Sequence, residues 1–290
     1  MTAAAHQNAN RIGTDAIPVR HMDFEFDDSV PTFWFANDPL RTMILTALSG
    51  TFPEGERMFM RSVRHYQKTI KDPELQQQVK AFIGQEAHHG KEHQSFNDIM
   101  TRKGVPVDFI DRYTKEGLKR IGKFYSPQRL LAKTCALEHF TALFAEMLLA
   151  HPELIDEVDE QLKPLWVWHA IEESEHKAVA YDVYQEQVGS YWVRVSEMAV
   201  TTVMFSFFSS LHTAQLMKAV KDQPGTKPMG LGKRLKGLWQ HREVLGELGK
   251  HYLAYYKPDF HPSQKDSTTL RNKGLEMLAR YVGDKAHISA

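Results

Sequence analysis

Apolar residues recur at helical spacing along most of this 290-residue chain, and period-two alternation is confined to a short stretch near its start. His21 to Phe26 alternates polar and apolar side chains, which fits a brief strand or an extended strap, so residues 1–35 read as an N-terminal arm. Asp38 followed by Pro39 is a helix start, with the carboxylate as N-cap and the proline at the first helical position. The apolar run Met43 to Leu48 then meets Gly50 and Pro53. Either a kinked helix continues there or a second one begins, with Phe59, Met60 and Val63 at helical spacing. Asp72-Pro73 repeats the start signal and Gly104 supplies a stop, enclosing a helix of about 30 residues. Ser126-Pro127 starts a third helix through Leu131, Leu137, Leu143 and Met147 to Ala150, and a fourth runs from about Pro164 to Gln187 before Gly189. Met198 to Met217 reads as a fifth, apolar helix. Helices around 242–256 and 268–282 follow, and 233–239, which mixes basic and apolar residues, reads as a solvated helix. The expected fold is all-α: a four-helix bundle over 36–217 that includes the fifth helix, with residues 218–290 as a C-terminal helical extension packed on it.

Carboxylates and imidazoles interrupt these apolar faces in a repeated pattern. Glu56 is followed by Glu86-x-x-His89, and Glu138 by Glu173-x-x-His176. Residues three apart share a helix face, so each Glu and His pair can aim at one point. Glu56 and Glu86 are 30 positions apart and Glu138 and Glu173 are 35 apart. Each interval fits a helix end, a turn and an antiparallel return to the same height. The 52 positions between Glu86 and Glu138 are left for a crossover connection. A carboxylate such as Glu138 on an apolar face must be paired, neutral or metal-bound. Four carboxylates and two imidazoles on four helices form a two-metal ligand set. His169 lies on the face of Glu173 and His176, either as a further ligand or as a hydrogen-bonding neighbour of one. Glu172 also reaches His176 at i+4, but the i, i+3 spacing favours Glu173. His93 and His139 read as neighbours of the ligands or surface groups, and His88 points away from His89. Asp182 and Glu146 are candidates to orient ligating histidines, and Trp166, Trp168 and Tyr181 to line a pocket. Gly84 and Gly90, beside the first motif, fit a close helix approach there or are simply tolerated.

At these residues the chain resembles the ferritin-like di-iron carboxylate superfamily and, more narrowly, the bacterial family of predicted metal-dependent hydrolases. The resemblance is carried by residues 52–57 around Glu56, 85–93 around Glu86 and His89, 168–177 around Glu173 and His176, and 260–262. The superfamily pattern implies Glu56 and Glu173 as terminal ligands and Glu86 and Glu138 as bridging ones. The His169-x-x-x-Glu173-x-x-His176 run resembles that of di-iron arylamine N-oxygenases, where the additional histidine is a ligand. The metal set expected is therefore Glu56, Glu86, His89, Glu138, His169, Glu173 and His176, holding two ions. Oxygen donors with imidazole and no thiolate suit iron or manganese.

Composition narrows the function little. The chain is 42% apolar and 25% charged, ordinary for a globular protein, and its 36 basic residues balance 36 acidic ones, so no nucleic-acid partner is expected. The single cysteine, Cys135, sits in an apolar run and suits a reducing, cytoplasmic location as an inert thiol. Residues 1–20 lack the apolar core of a secretory signal. Residues 198–217 lack Asp, Glu, Lys and Arg, yet their Ser, Thr, His212 and Gln215 side chains fit a helix packed with its apolar face on the bundle, so membrane contact is not expected. No serine-nucleophile elbow, phosphate loop or dinucleotide fingerprint is present. The leading expectation is a di-iron enzyme that uses O2 and an electron donor to oxidise a small lipophilic substrate. The alternatives are a hydrolase using a metal-bound water, and a non-catalytic bundle whose charged groups form solvated networks.

Overall fold

The computed structural model describes residues 17–226 and 242–282, and over these the chain is all-α. In order come α1 (Pro39–Tyr66), α2 (Pro73–Arg102), α3 (Val107–Phe124), α4 (Pro127–Ala150), the single turn α5 (Pro152–Asp156), α6 (Lys163–His176), α7 (Val179–Gln187), α8 (Tyr191–Ala219), α9 (Arg242–Ala254) and α10 (Thr268–Val282). The expected helix over 233–239 lies outside the described residues. Three of the starts use the caps written in the sequence. Asp38, Asp72 and Ser126 each accept backbone N–H bonds from the first turn, with proline directly after them.

α1 packs along α2, α3, α4 and α8, and α4 packs along α6, α7, α8 and α9, while α10 lies on α6 and α4. Two apolar layers result. One gathers Met43, Phe96, Ile99, Leu149, Trp166 and Trp168, and the other Met58, Phe59, Val79, Phe82, Leu131, Cys135 and Tyr184. Each of α1, α2 and α4, and α6 with α7, crosses both layers. Between them every one of these paths presents buried polar groups, and these form a slab closed above and below by apolar packing.

The structure decides two open readings and corrects others. Pro53 does not end a helix, because α1 runs through it. A proline lacks the N–H that would bond the carbonyl four residues back. That carbonyl, Ser49 O, is instead met by Asn97 Nδ2 at 3.0 Å. The fourth helix is not continuous. It breaks after His176, where Lys177 turns its ammonium to Glu146 (2.7 Å), the Lys265 carbonyl (2.7 Å) and Ser267 (2.6 Å). The crossover holds a full helix, α3, which buries only Val107 and Ile110. Residues 17–35 contain no strand beyond an isolated bridge between Phe35 and Val158, and instead form a strap against α2 and α6.

α8 buries Met198 and packs Phe205 on the second apolar layer, but its inward face carries polar groups as well. Its buried residues include Arg194, Glu197, Thr201 and His212, while Val203 and Phe207 are 62% and 58% exposed. The reason is polar satisfaction. Glu197 receives Arg129 at 2.7 Å, and Arg194 is anchored on the Tyr255 and Lys257 carbonyls. No described helix is long and apolar enough to cross a membrane.

Candidate metal centre

The polar slab brings all seven expected residues to one place. α1 contributes Glu56, α2 Glu86 and His89, α4 Glu138, and α6 His169, Glu173 and His176, all of them buried. Three overlapping groups have donor atoms within 4.8 Å of one another: Glu56 with His89 and His169, Glu86 with His89 and Glu173, and Glu86 with Glu138 and His176. His176 Nε2 stands 3.1 Å from Glu86, 3.5 Å from Glu138 and 3.5 Å from Glu173. Glu173 also lies 3.1 Å from His169 Nε2 and 3.5 Å from His89 Nδ1. The helix period explains the convergence, since offsets of three, four and seven residues share a face.

Despite these approaches the inner atoms are not hydrogen-bonded. Both carboxylate oxygens of Glu56, Glu86 and Glu138, one of Glu173, and the inner nitrogens of His89 and His176 are buried without a hydrogen-bond partner among the described residues. Native interiors rarely leave so many polar atoms unmet in one place, and isolated charges there are costly.

Hydrogen bonds from outside the cluster fix how each imidazole faces it. The Gln85 amide nitrogen donates to the Pro18 carbonyl at 2.8 Å and to Glu175 at 2.9 Å, so its oxygen accepts from His176 Nδ1 at 2.8 Å. Glu172, bound by Arg20 at 3.1 Å, accepts from His89 Nε2 at 3.1 Å. The third line is longer. Because Asn97 Nδ2 donates to the Ser49 carbonyl, Asn97 Oδ1 accepts the Ser49 hydroxyl proton at 2.8 Å. Ser49 Oγ then accepts from His93 Nδ1 at 2.8 Å, and His93 Nε2 accepts from His169 Nδ1 at 2.7 Å. Burial and the neighbouring His169 hold the His93 pKa well below the usual histidine value, consistent with a neutral ring. In the neutral tautomers these bonds select, the lone pairs of His89 Nδ1, His169 Nε2 and His176 Nε2 point at the carboxylates.

The electrostatics match a cation-shaped demand. Burial, then the neighbouring Glu86, push the Glu56 and Glu138 carboxyls well above their usual value, and burial raises Glu86 as well. Burial opposes charge on His89, yet the Glu172 and Glu173 carboxylates beside it outweigh that and raise its pKa to about 10, and His176 is likewise raised. Burial lowers His169 to about 4. Glu173 is held well below its usual value by His176, His169 and His89 against the upward push of burial. Protons on the inner nitrogens thus stand where a cation would supply the same charge.

Other residues named from the sequence lie elsewhere. Glu172 faces Arg20 and the outer side of His89, so it supports the cluster from behind. Asp182 and Glu146 do not orient the converging histidines. Asp182 pairs with His261 at 2.8 Å, and Glu146 with Lys177 and Lys265. His139 bonds the His251 carbonyl at 3.3 Å, away from the cluster. Trp168 and Tyr181 are core residues, and Trp166 lines a cavity. Gly90 does mark a close approach, since an added Cβ would lie 3.0 Å from Glu56 Oε2 and 3.6 Å from the Pro53 backbone. Arg20, Ser49, Gln85 and Asn97 were invisible as site residues, because none carries a spacing signal.

Two apolar cavities reach the slab. One, about 420 Å³, runs beside Phe35, Leu48, Phe144 and Trp166 to His169. The other, about 350 Å³, lies between α3 and α8 and has Glu56, His169 and Glu173 at its floor. Phe52 lines both, its ring 5.1 Å from that of His169. Sizes in this range accept small-molecule ligands. No curated protein and no solved structure matches the chain significantly. A family model described as predicted metal-dependent hydrolase matches residues 18–266, a span that takes in the strap, the cluster and both cavities, and the chain belongs to that family.

Proposed function

We propose that the chain is a dimetal hydrolase acting on a small lipophilic ester or amide, with Glu56, Glu86, His89, Glu138, His169, Glu173 and His176 holding two divalent cations. The observation that carries this is the set of buried, unpartnered donor atoms bordering an apolar cavity. Metal binding would ionise all four carboxylates, and two divalent cations would balance that charge. Bound there, such ions polarise a carbonyl and lower the pKa of a coordinated water, and iron in particular adds redox chemistry with O2. The chain itself does the rest. Gln85, Glu172 and His93 hold the imidazoles in register, and Phe52, Phe59, Leu137 and Phe144 keep bulk water from the cavity. The family's description supports hydrolysis.

A second reading is an O2-dependent di-iron oxidation of an apolar substrate in a ferritin-like bundle. It is favoured by a donor set of four carboxylates and three imidazoles without thiolate, which suits iron or manganese. Metal analysis of the purified chain is the first test, with about two ions per chain expected. Medium-chain nitrophenyl esters are then assayed without O2, before and after chelation, and O2 uptake is followed with a reductant. Chelator-sensitive hydrolysis without O2 supports the first reading. Reductant-dependent O2 uptake without hydrolysis selects the second. A metal-free protein that takes up no iron, manganese or zinc overturns both.

A further inference from the structure

The cavity between α3 and α8 carries a hydrogen-bonding group that the cluster does not use. His212, on α8, lines this cavity and is 2% exposed. Both of its ring nitrogens are buried with no hydrogen-bond partner among the described residues. Its ring is held edge-on by Tyr113 on α3, with centroids 5.6 Å apart, and tilted against Phe208 at 6.1 Å. Aromatic rings therefore fix the imidazole in place without meeting its polar atoms. Leaving a buried donor and acceptor unmet costs about 1–3 kcal/mol, so a position like this requires a reason.

The rest of the lining sharpens what that reason is. Thr51 and Thr141 donate their hydroxyl protons to carbonyls of their own helices, at 2.7 and 3.1 Å. Lys133, at the opposite end, bonds Thr201 Oγ1 at 3.1 Å and lies 3.7 Å from Glu197. Its charge is therefore already answered inside the protein. Thr201 and His212 are eleven residues apart on one helix, roughly 16 Å. Glu56, His169 and Glu173 form the floor of the same cavity. An elongated apolar molecule lying along it would pass over the cluster with one end at His212. The N–H and the bare nitrogen of a neutral imidazole lie on different edges of the ring, so a small polar group meets one of them, and a hydroxyl can do so as donor or as acceptor, whereas an ether or a carboxylate can only accept.

We infer that His212 is a substrate-binding residue, and that the cavity takes an elongated apolar molecule bearing a neutral hydroxyl, not an anionic head, at the His212 end. This rests on the reading that the cluster acts on a molecule in this cavity. The test reads binding instead of turnover, so it separates from the metal assignment. Displacement of Nile red from the full-length protein, as purified and after chelation, is measured for 1-decanol, decanoate and decyl methyl ether. Decanol should bind about tenfold more tightly than the ether, which cannot donate, and than decanoate. In His212→Phe the decanol preference should fall to within about twofold while ether affinity is kept, and His212→Gln should retain part of it. Tightest binding by decanoate, weakened by Lys133→Met, would overturn the inference. So would a decanol preference that survives His212→Phe, or failure of all three compounds to displace the dye. If binding behaves as stated but no metal is found, the subsite stands and the dimetal reading falls.

Discussion

The two ends of the buried cluster are built from similar donors but face different surroundings. Glu86, Glu138 and His176 line neither large apolar cavity, and the Phe82 ring lies edge-on against His176 at 4.9 Å. Glu56 and His169, by contrast, lie at the cavity floor, and His169 borders both cavities. The supports differ as well. His176 is held through one amide, Gln85, whereas His169 depends on a line of three side chains, His93, Ser49 and Asn97. Metal sites that serve structure tend to be closed, and those that serve chemistry keep one side open. Under the dimetal reading, the Glu86–Glu138–His176 end anchors one ion and the Glu56–His89–His169 end presents the other to substrate.

The most damaging test removes the closed end. Glu86→Ala or His176→Ala should drop bound metal from about two ions per chain to below about one while the far-UV spectrum stays helical, and full retention by elemental analysis would end the assignment. His169→Ala should take metal from the open end alone, leaving about one ion per chain; equal, slight loss from both ends would place His169 outside the ligand set. A smaller effect comes from the supports. His93→Leu should weaken one metal by about 10–100-fold and Gln85→Leu the other, so competition with a calibrated chelator should resolve two different sites. If both variants weaken the same ion, the division into two ends is wrong. The mildest change is Gly90→Ala, whose new methyl meets the Glu56 carboxylate at 3.0 Å. It should lower open-end affinity by only a few fold, about 1 kcal/mol or less, and a loss of both metals would instead point to a displaced α2.

Much of this arrangement was written locally. Asp38, Asp72 and Ser126 specify their helix starts, and the offsets from Glu86 to His89 and among His169, Glu173 and His176 depend only on helical period. What could not be read depends on contacts between distant parts of the chain. Arg20 meets Glu172 across 152 positions, and Gln85 meets His176 across 91. Neither pair leaves a periodic trace. The break after His176 escaped because the groups that hold the Lys177 ammonium there, on Glu146, Lys265 and Ser267, lie on other segments. The inward face of α8 is more polar than its uncharged stretch suggests. Its first turns bury Arg194 and Glu197, whose partners lie on other segments. Function was less legible still. The donor set identifies a metal-binding chemistry, but hydrolysis and oxidation draw on the same residues.

The proline within α1 has a consequence for engineering. A mid-helix proline costs about 3 kcal/mol relative to alanine, so propensity-based stabilisation would select Pro53→Ala among the first changes to make. The restored amide would compete for the Ser49 carbonyl that now holds Asn97, and Asn97 is what dictates the Ser49 proton and, through His93, the face that His169 turns inward. At position 53, thermal robustness and site organisation therefore pull in opposite directions, and a more heat-resistant α1 would come with a loosened third imidazole.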